Sequence, residues 1–184
     1  MDFSLVKSEN KNYFYKQNKF MKLVLNQHQI AQKITRISHE ILEDTYGVSE
    51  LYIGGIVGNG EIFAQQICEI IQKNSSQKVS YFKIDLDKEK PLEREIKFTI
   101  DSESFVGKTI ILVDDVINSG KTMQYAVMKV LEKPVHSLKT VALVDRTHRR
   151  FPIKCNFVGL TLSTTLGERV DVIPSNNSLE AFLI

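Results

Sequence analysis

The chain has 184 residues, 42% hydrophobic and 25% charged, with a formal net charge of +2. That size suits one domain with a substantial core, and the near-neutral charge gives no argument of its own for nucleic acid or an anionic membrane. Two cysteines outside any Cys-x-x-Cys pair, Cys68 and Cys155, argue against a disulfide framework or a zinc site and point to a reducing, cytoplasmic setting.

Residues 1–20 are rich in Lys, Asn, Tyr and Phe and lack periodicity. They read as an N-terminal extension to a single domain over 21–184, with a basic partner-binding arm as the sharper alternative. Their start, Met1-Asp2-Phe3-Ser4, has no signal pattern, and no apolar run in the chain approaches the ~20 residues of a membrane span. Asn26 with Gln29 forms a capping-box signature, followed by Ile30, Ile34, Ile37, Ile41 and Leu42 at helical spacing, with Gly47 as a stop. Leu51 to Ile56 reads as a buried strand leading into Gly58-Asn59-Gly60. Glu61 to Lys73 then reads as an amphipathic helix with Ile62, Phe63, Ile67, Ile70 and Ile71 inward.

Lys78 to Leu86 is an expected strand, and the charged stretch Asp87 to Glu95, with Pro91, is a loop or hairpin tip. Glu95 to Ile100 alternates as a half-exposed strand with Ile96, Phe98 and Ile100 on one side. Lys108 to Val113 is the central buried strand, and Lys121 to Glu132 the helix after it. Leu138 to Val144 is another strand, Asp145 to Pro152 a polar, basic turn, and Asn156 to Ile173 short strands and turns. Strands alternating with helices predict an α/β fold with a doubly wound, mostly parallel central sheet.

The run from Ile110 to Thr122 carries the chemistry. Ile110-Ile111-Leu112-Val113 leads directly into Asp114-Asp115, which places two acids at the carboxyl end of a buried strand, where open α/β sheets bind ligands. Neighbouring strand residues point to opposite faces, so both acids reach one ligand only where the backbone turns. Carboxylates accept hydrogen bonds from vicinal hydroxyls and supply hard oxygens for Mg²⁺, directly or through water. Asn118-Ser119-Gly120-Lys121-Thr122 then offers hydroxyls, a point charge, a glycine for close backbone approach and a helix N-terminus, together a seat for phosphate.

These thirteen residues resemble the phosphoribosyl diphosphate (PRPP) motif of the type I phosphoribosyltransferases. The resemblance implies that family's fold, a doubly wound sheet flanked by helices with a small hood. It also implies transfer of ribose 5-phosphate from PRPP to a nucleobase with Mg²⁺ as cofactor. Asp114 and Asp115 take the ribose hydroxyls and, indirectly, the metal, and Asn118, Ser119, Gly120, Lys121 and Thr122 take the 5′-phosphate. Many members carry a third acid at the position of Asn118. An amide cannot act as a general base, which favours a pyrimidine, whose ring nitrogen ionises more readily, over a purine.

A longer resemblance runs from about Met21 to Val172. Thr35-Arg36-Ile37-Ser38-His39-Glu40, the stretch from Leu143 to Lys154, Phe157-Val158-Gly159 and Ser163-Thr164-Thr165 are similar to the pyrimidine operon attenuation regulators, which are also uracil phosphoribosyltransferases. This implies uracil as the base, read around Asp145 and Arg146. It also implies a possible messenger RNA partner at Thr35, Arg36, His39, His148 and Arg149, and a homodimer or larger assembly. A regulator with weak or no catalysis and a purine phosphoribosyltransferase are the alternatives. The expected pyrophosphate loop, Val57-Gly58-Asn59-Gly60, departs from that branch, which has Lys-Thr-Arg where this chain has Val57-Gly58-Asn59. Asn59→Arg is therefore expected to strengthen PRPP binding. The charged stretch Asp87 to Glu95 is shorter than the family's usual mobile loop, and Lys88, Lys90 and Arg94 are candidates for its pyrophosphate contact.

Overall fold

Strand β1 (Lys22–Leu25) and helix α1 (Gln27–Asp44) meet at Asn26. The Asn26 side chain accepts from the Gln29 N–H at 2.9 Å, and Gln29 Oε1 accepts from the Asn26 N–H at 2.9 Å. Two N–H groups that a helix start leaves unpaired are satisfied reciprocally, and Ile30, Ile34, Ile37 and Ile41 are buried along one stripe. This is a computed structural model describing residues 21–165, 167–175 and 178–184; the extension expected over residues 1–20 lies outside them.

The chain continues through β2 (Glu50–Ile56), α2 (Asn59–Asn74), β3 (Lys78–Asp85), β4 (Lys97–Phe98), a 3₁₀ turn (Ser102–Phe105), β5 (Thr109–Ile117) and α3 (Lys121–Val130). β6 (Ser137–Arg146), β7 (Phe157–Leu162), β8 (Val170–Ser175) and β9 (Ser178–Leu183) complete it. Six strands form one sheet in the order β4-β3-β2-β5-β6-β7, parallel except for β4. A second, antiparallel sheet, β1-β9-β8, is the hood.

Each face of the large sheet has its own core. On one face α1 and α2 pack with Ile111, Val113 and the hood residues Val170, Val172 and Ala181. The hood thus shares the core of the main domain. On the other face Met123, Ala126 and Val130 of α3 join Phe82, Phe105, Ile110 and Leu112. Phe82, Phe98 and Phe105 meet with ring centroids 4.9 to 5.6 Å apart, contacts worth about 0.5–1.5 kcal/mol each beyond area burial. Cys68 lies in the first core and Cys155 in the second, both free, and burial pushes each thiol up to about 12.

Several boundaries differ from the sequence reading. α2 begins at Asn59 rather than Glu61, because Glu61 is the third helical residue and its carboxylate caps the Gly58 N–H at 3.1 Å. Ile62, expected inward, is 39% exposed, since Phe63, Ala64, Ile67 and Ile71 form the buried stripe and Ile62 falls beside it. The strand expected over Glu95 to Ile100 reduces to two residues. Ile96, Phe98 and Ile100 do pack on the second core, but only Lys97 and Phe98 pair with β3. β5 and β6 run further than expected, to Ile117 and Arg146, and carry the acids inside the sheet. α3 stops at Val130 instead of Glu132.

Candidate functional site

A cleft of about 1010 Å³ opens where β5 and β6 end, facing hood strand β8. Among the predicted residues, Asn59, Asp114, Asp115, Asn118, Ser119, Gly120, Thr122, Arg146 and His148 line it. Val57, Gly58, Gly60, Lys121, Asp145, Arg149, Thr35, Arg36 and His39 do not.

Both acids reach the cleft without a turn between them. Along β5, Ile110 and Leu112 face the second core while Ile111 and Val113 face the first. Strict alternation would send Val116 to the second core and Ile117 to the first, yet Val116 packs on the first and Ile117 on the second. The phase slips by one residue across Asp114–Asp115. In β6, Leu143 and Val144 both face the first core, the same slip in the paired strand. Two consecutive carboxylates thereby share one cavity while the ladder continues.

Asp114 is 2% and Asp115 8% exposed. Asp114 Oδ1 accepts from the Asp115 N–H at 3.0 Å and from Lys88 Nζ at 3.3 Å. Asp115 Oδ2 accepts from Asn59 Nδ2 at 3.0 Å. Burial, and then the neighbouring Asp115 charge, pushes the Asp114 carboxyl up to about 8, with Lys88 pulling the other way. Gly60 permits this packing: a Cβ there would stand 3.0 Å from the Val113 carbonyl and 3.1 Å from Asp114 Oδ1. Val57 to Gly60 was expected to receive pyrophosphate, but Gly60 supports the acids from behind. The Val57 N–H donates to the Ile84 carbonyl at 3.0 Å and the Gly58 N–H to Glu61. Those two donors are engaged within the protein.

The turn into α3 leaves its first N–H groups uncapped by any side chain of the N-cap residue. Its N-cap, Gly120, has φ 81° and gives no side-chain cap, and no acidic residue stands in the first turn. The N–H groups opening the helix therefore keep their capacity for an anion, apart from that of Lys121, which donates to Ser119 Oγ at 3.3 Å. A Cβ on Gly120 would meet Ile153 Cγ2 at 2.6 Å. The Arg150 and Phe151 N–H groups each donate to the Ser119 carbonyl at 3.1 Å. The basic turn after β6 thus braces the turn into α3. The Lys121 side chain, expected at the phosphate, instead donates to the Glu89 carbonyl at 2.7 Å and ties the 87–95 loop to α3. Asn118 has both ends of its amide engaged: Oδ1 accepts from Arg146 Nη1 (3.1 Å) and the Val170 N–H (3.2 Å), and Nδ2 donates to the Val170 carbonyl (3.1 Å).

The two base-region residues part company. Arg146 lines the cleft, 7% exposed, donating to Thr164 Oγ1 (2.9 Å) and the Thr165 carbonyl (3.3 Å) as well as to Asn118. Asp145 lies beneath, paired with Arg149 at 3.3 Å, and burial raises its pKa. Arg149 also donates to the Arg146 and Ile153 carbonyls, so it braces the turn. Arg36, expected at RNA, pairs with Glu40 and donates to the Val158 (2.7 Å) and Gly159 (3.1 Å) carbonyls of β7. Thr35 bonds the Ala31 carbonyl at 3.0 Å and His39 is exposed on the same helix. His148 sits instead at the cleft.

Sequence reasoning missed Glu89, Arg150, Arg169 and the β8 residues Val170 to Ile173 as cleft lining. The dipeptide Arg149-Arg150 was a signal for the second; nothing local announced the rest. Of the three candidate loop cations only Lys88 reaches the cleft, because Lys90 pairs with Glu93 and Arg94 with Asp85. Two hard carboxylates fit Mg²⁺, but among the described residues no group of three or more His, Cys, Asp or Glu assembles. The donor set suits a metal whose remaining ligands come from a phosphate ester and water.

The sequence matches the family described as phosphoribosyl transferase domain over residues 22–172. Curated relatives include the Bifunctional protein PyrR of Fusobacterium nucleatum, 31% identical over 83% of this chain and 90% of that protein. That of Leifsonia xyli is 35% identical over 82% and 88%. Among solved structures, a hypoxanthine-guanine phosphoribosyltransferase from Bacillus anthracis shares the fold with TM-score 0.65 and 20% identity, covering 78% of this chain and 84% of that one. A hypoxanthine phosphoribosyltransferase from Staphylococcus aureus does so with TM-score 0.66 and 19% identity, covering 85% and 84%. No helix among the described residues is long and apolar enough to cross a membrane. By its matched domain, its relatives and its fold, the chain belongs to the type I phosphoribosyltransferase family.

Proposed function

We propose that this phosphoribosyltransferase joins uracil to the ribose of PRPP, giving uridine monophosphate and pyrophosphate. The observation that supports it best is that Asp114, Asp115 and the α3 turn share one cleft. In this reading the α3 N–H groups with Ser119 and Thr122 hold the 5′-phosphate, and the two carboxylates accept the ribose hydroxyls. Fixing both ends of the sugar presents its anomeric carbon to the base, and such positioning supplies much of the rate. Negative charge beside a ribose that becomes cationic as pyrophosphate leaves favours that state over the ground state.

In this reading Lys88, which lines the cleft beside Asp114, stabilises the departing pyrophosphate. Mg²⁺ brought with the diphosphate, held near Asp114 and Asp115, supplies further charge neutralisation. Asn118, its amide engaged by Arg146 and Val170, gives the base no proton acceptor. The choice of uracil over hypoxanthine or guanine rests instead on the likeness to the PyrR relatives.

Purified protein with PRPP and Mg²⁺ is offered uracil, cytosine, hypoxanthine, guanine and adenine in turn. Uridine monophosphate with release of pyrophosphate is the expected product. Product from hypoxanthine or guanine alone replaces uracil with a purine, and no product from any base overturns the enzymatic reading. A second reading, an RNA-binding regulator, is favoured by His148 and Arg150, both exposed at the cleft. Salt-sensitive binding of a pyrimidine-leader hairpin without turnover is its signature.

A further inference from the structure

Asn59, the first residue of α2, turns its side chain toward two other parts of the molecule. Its Nδ2 donates to Asp115 Oδ2 at 3.0 Å and to the Val172 carbonyl at 2.7 Å. The amide's two hydrogens are both used, and one side chain joins the end of β5 to the middle of hood strand β8. The acid pair is thereby divided between a loop and a helix start: Lys88 of the 87–95 loop contacts Asp114, and Asn59 contacts Asp115. The two partners differ in kind. A cation neutralises the carboxylate it touches. A neutral amide fixes one carboxylate oxygen by hydrogen bonding and leaves the full negative charge on the group.

We propose that Asn59 is a positioning residue: it holds Asp115 in the rotamer that takes a ribose hydroxyl and, through Val172, sets how far the hood stands from the acids. The kinetic part of this inference rests on the phosphoribosyltransferase reading of the cleft. The strap itself does not. It also reverses the sign expected for one substitution. Read as an anion seat lacking its cation, the loop should bind PRPP more tightly in Asn59→Arg. Read as a strap, the same change removes the carbonyl contact to β8, pairs Asp115 with a charge that competes with the ligand, and loosens binding.

The test compares the unaltered chain with Asn59→Ala, Asn59→Gln and Asn59→Arg by steady-state kinetics with the preferred base and by amide hydrogen exchange across β8. Asn59→Ala is expected to raise KM for PRPP about tenfold while kcat stays within about threefold, the loss of one hydrogen bond to a charged group. Exchange at β8 speeds up about tenfold, while α1 exchanges as before. Asn59→Gln, which keeps the donor on a longer arm, recovers part of both effects, and serves as the informative variant should the alanine protein fail to fold. Asn59→Arg raises KM. A fall in KM for Asn59→Arg, or unchanged KM and unchanged β8 exchange in Asn59→Ala, overturns the proposal. If the unaltered chain turns over no base, the phosphoribosyltransferase reading fails, and β8 exchange alone then decides the strap.

Discussion

At the N-terminal end of the large sheet Glu50, which opens β2, sits between Lys78 at 2.7 Å and Lys108 at 2.8 Å. At the C-terminal end Asp114 has one cation, Lys88 at 3.3 Å, and a second carboxylate beside it. The consequence shows in the protons. Hydrogen bonds from Lys108 and then Lys78 bring Glu50 down to about 2, while burial and Asp115 push Asp114 up to about 8. One end of the sheet completes its charge pairing internally. The other gathers negative groups out of water and leaves the balance open, the arrangement expected where a ligand brings the missing positive charge and hydroxyl donors.

The contrast is broken most severely at Asp115. Asp115→Ala is expected to weaken PRPP binding by at least about 100-fold, the scale of losing charged hydrogen bonds to a ligand. The melting temperature should stay close to that of the unaltered chain, because Asp115 contributes a cleft contact to Asn59 rather than core packing. Titration calorimetry beside circular dichroism reads both, and undiminished binding refutes the role.

A second effect is about tenfold per pH unit. With its pKa raised in the folded chain to about 8, Asp114 is protonated there and ionised in the unfolded chain between about pH 4 and 8. The stability this proton contributes is full below the unfolded value and is lost as pH rises through the folded one. A ligand that needs the carboxylate ionised must release the proton. Affinity for PRPP with Mg²⁺ therefore rises with pH up to about 8 and then levels off. Asp114→Asn flattens the slope in the melting temperature and forfeits the binding.

The smallest effect lies at the opposite end. Glu50 has a lowered pKa, so its contribution is present above the unfolded value near 4.5 and is lost as pH falls toward about 2. Glu50→Gln should lower the melting temperature slightly at neutral pH, make no difference at the acid limit, and leave turnover untouched. A change in KM for PRPP there would erase the distinction between the two ends.

What the sequence made legible was local. The capping box of Asn26 and Gln29, the buried apolar run into Asp114-Asp115 and the helix start after Gly120 are each determined by residues a few positions apart, and each is present, although β5 continues past the acids to Ile117. What it hid depends on partners far along the chain. Asn59 and Asn118 read as ligand-loop residues, yet their amides end on β8 at Val172 and Val170, and Arg36 ends on the carbonyls at Val158 and Gly159. The phase slip in β5 is shared with its paired strand β6, which no alternation count along one of them records. Lys121 reads as a phosphate ligand from its place in the Asn118–Thr122 turn, yet a backbone carbonyl of the 87–95 loop claims it.

The placement of the two cysteines, one under each face of the sheet, gives the molecule a pair of internal clocks. A thiol held near 12 and shut from solvent is inert to alkylating reagents while its side stays closed. Modification of Cys68 therefore times the opening of the layer beneath α1 and α2, and that of Cys155 the opening beneath α3. Equal labelling rates mark a chain that comes apart as one unit, and unequal rates identify the layer that yields first.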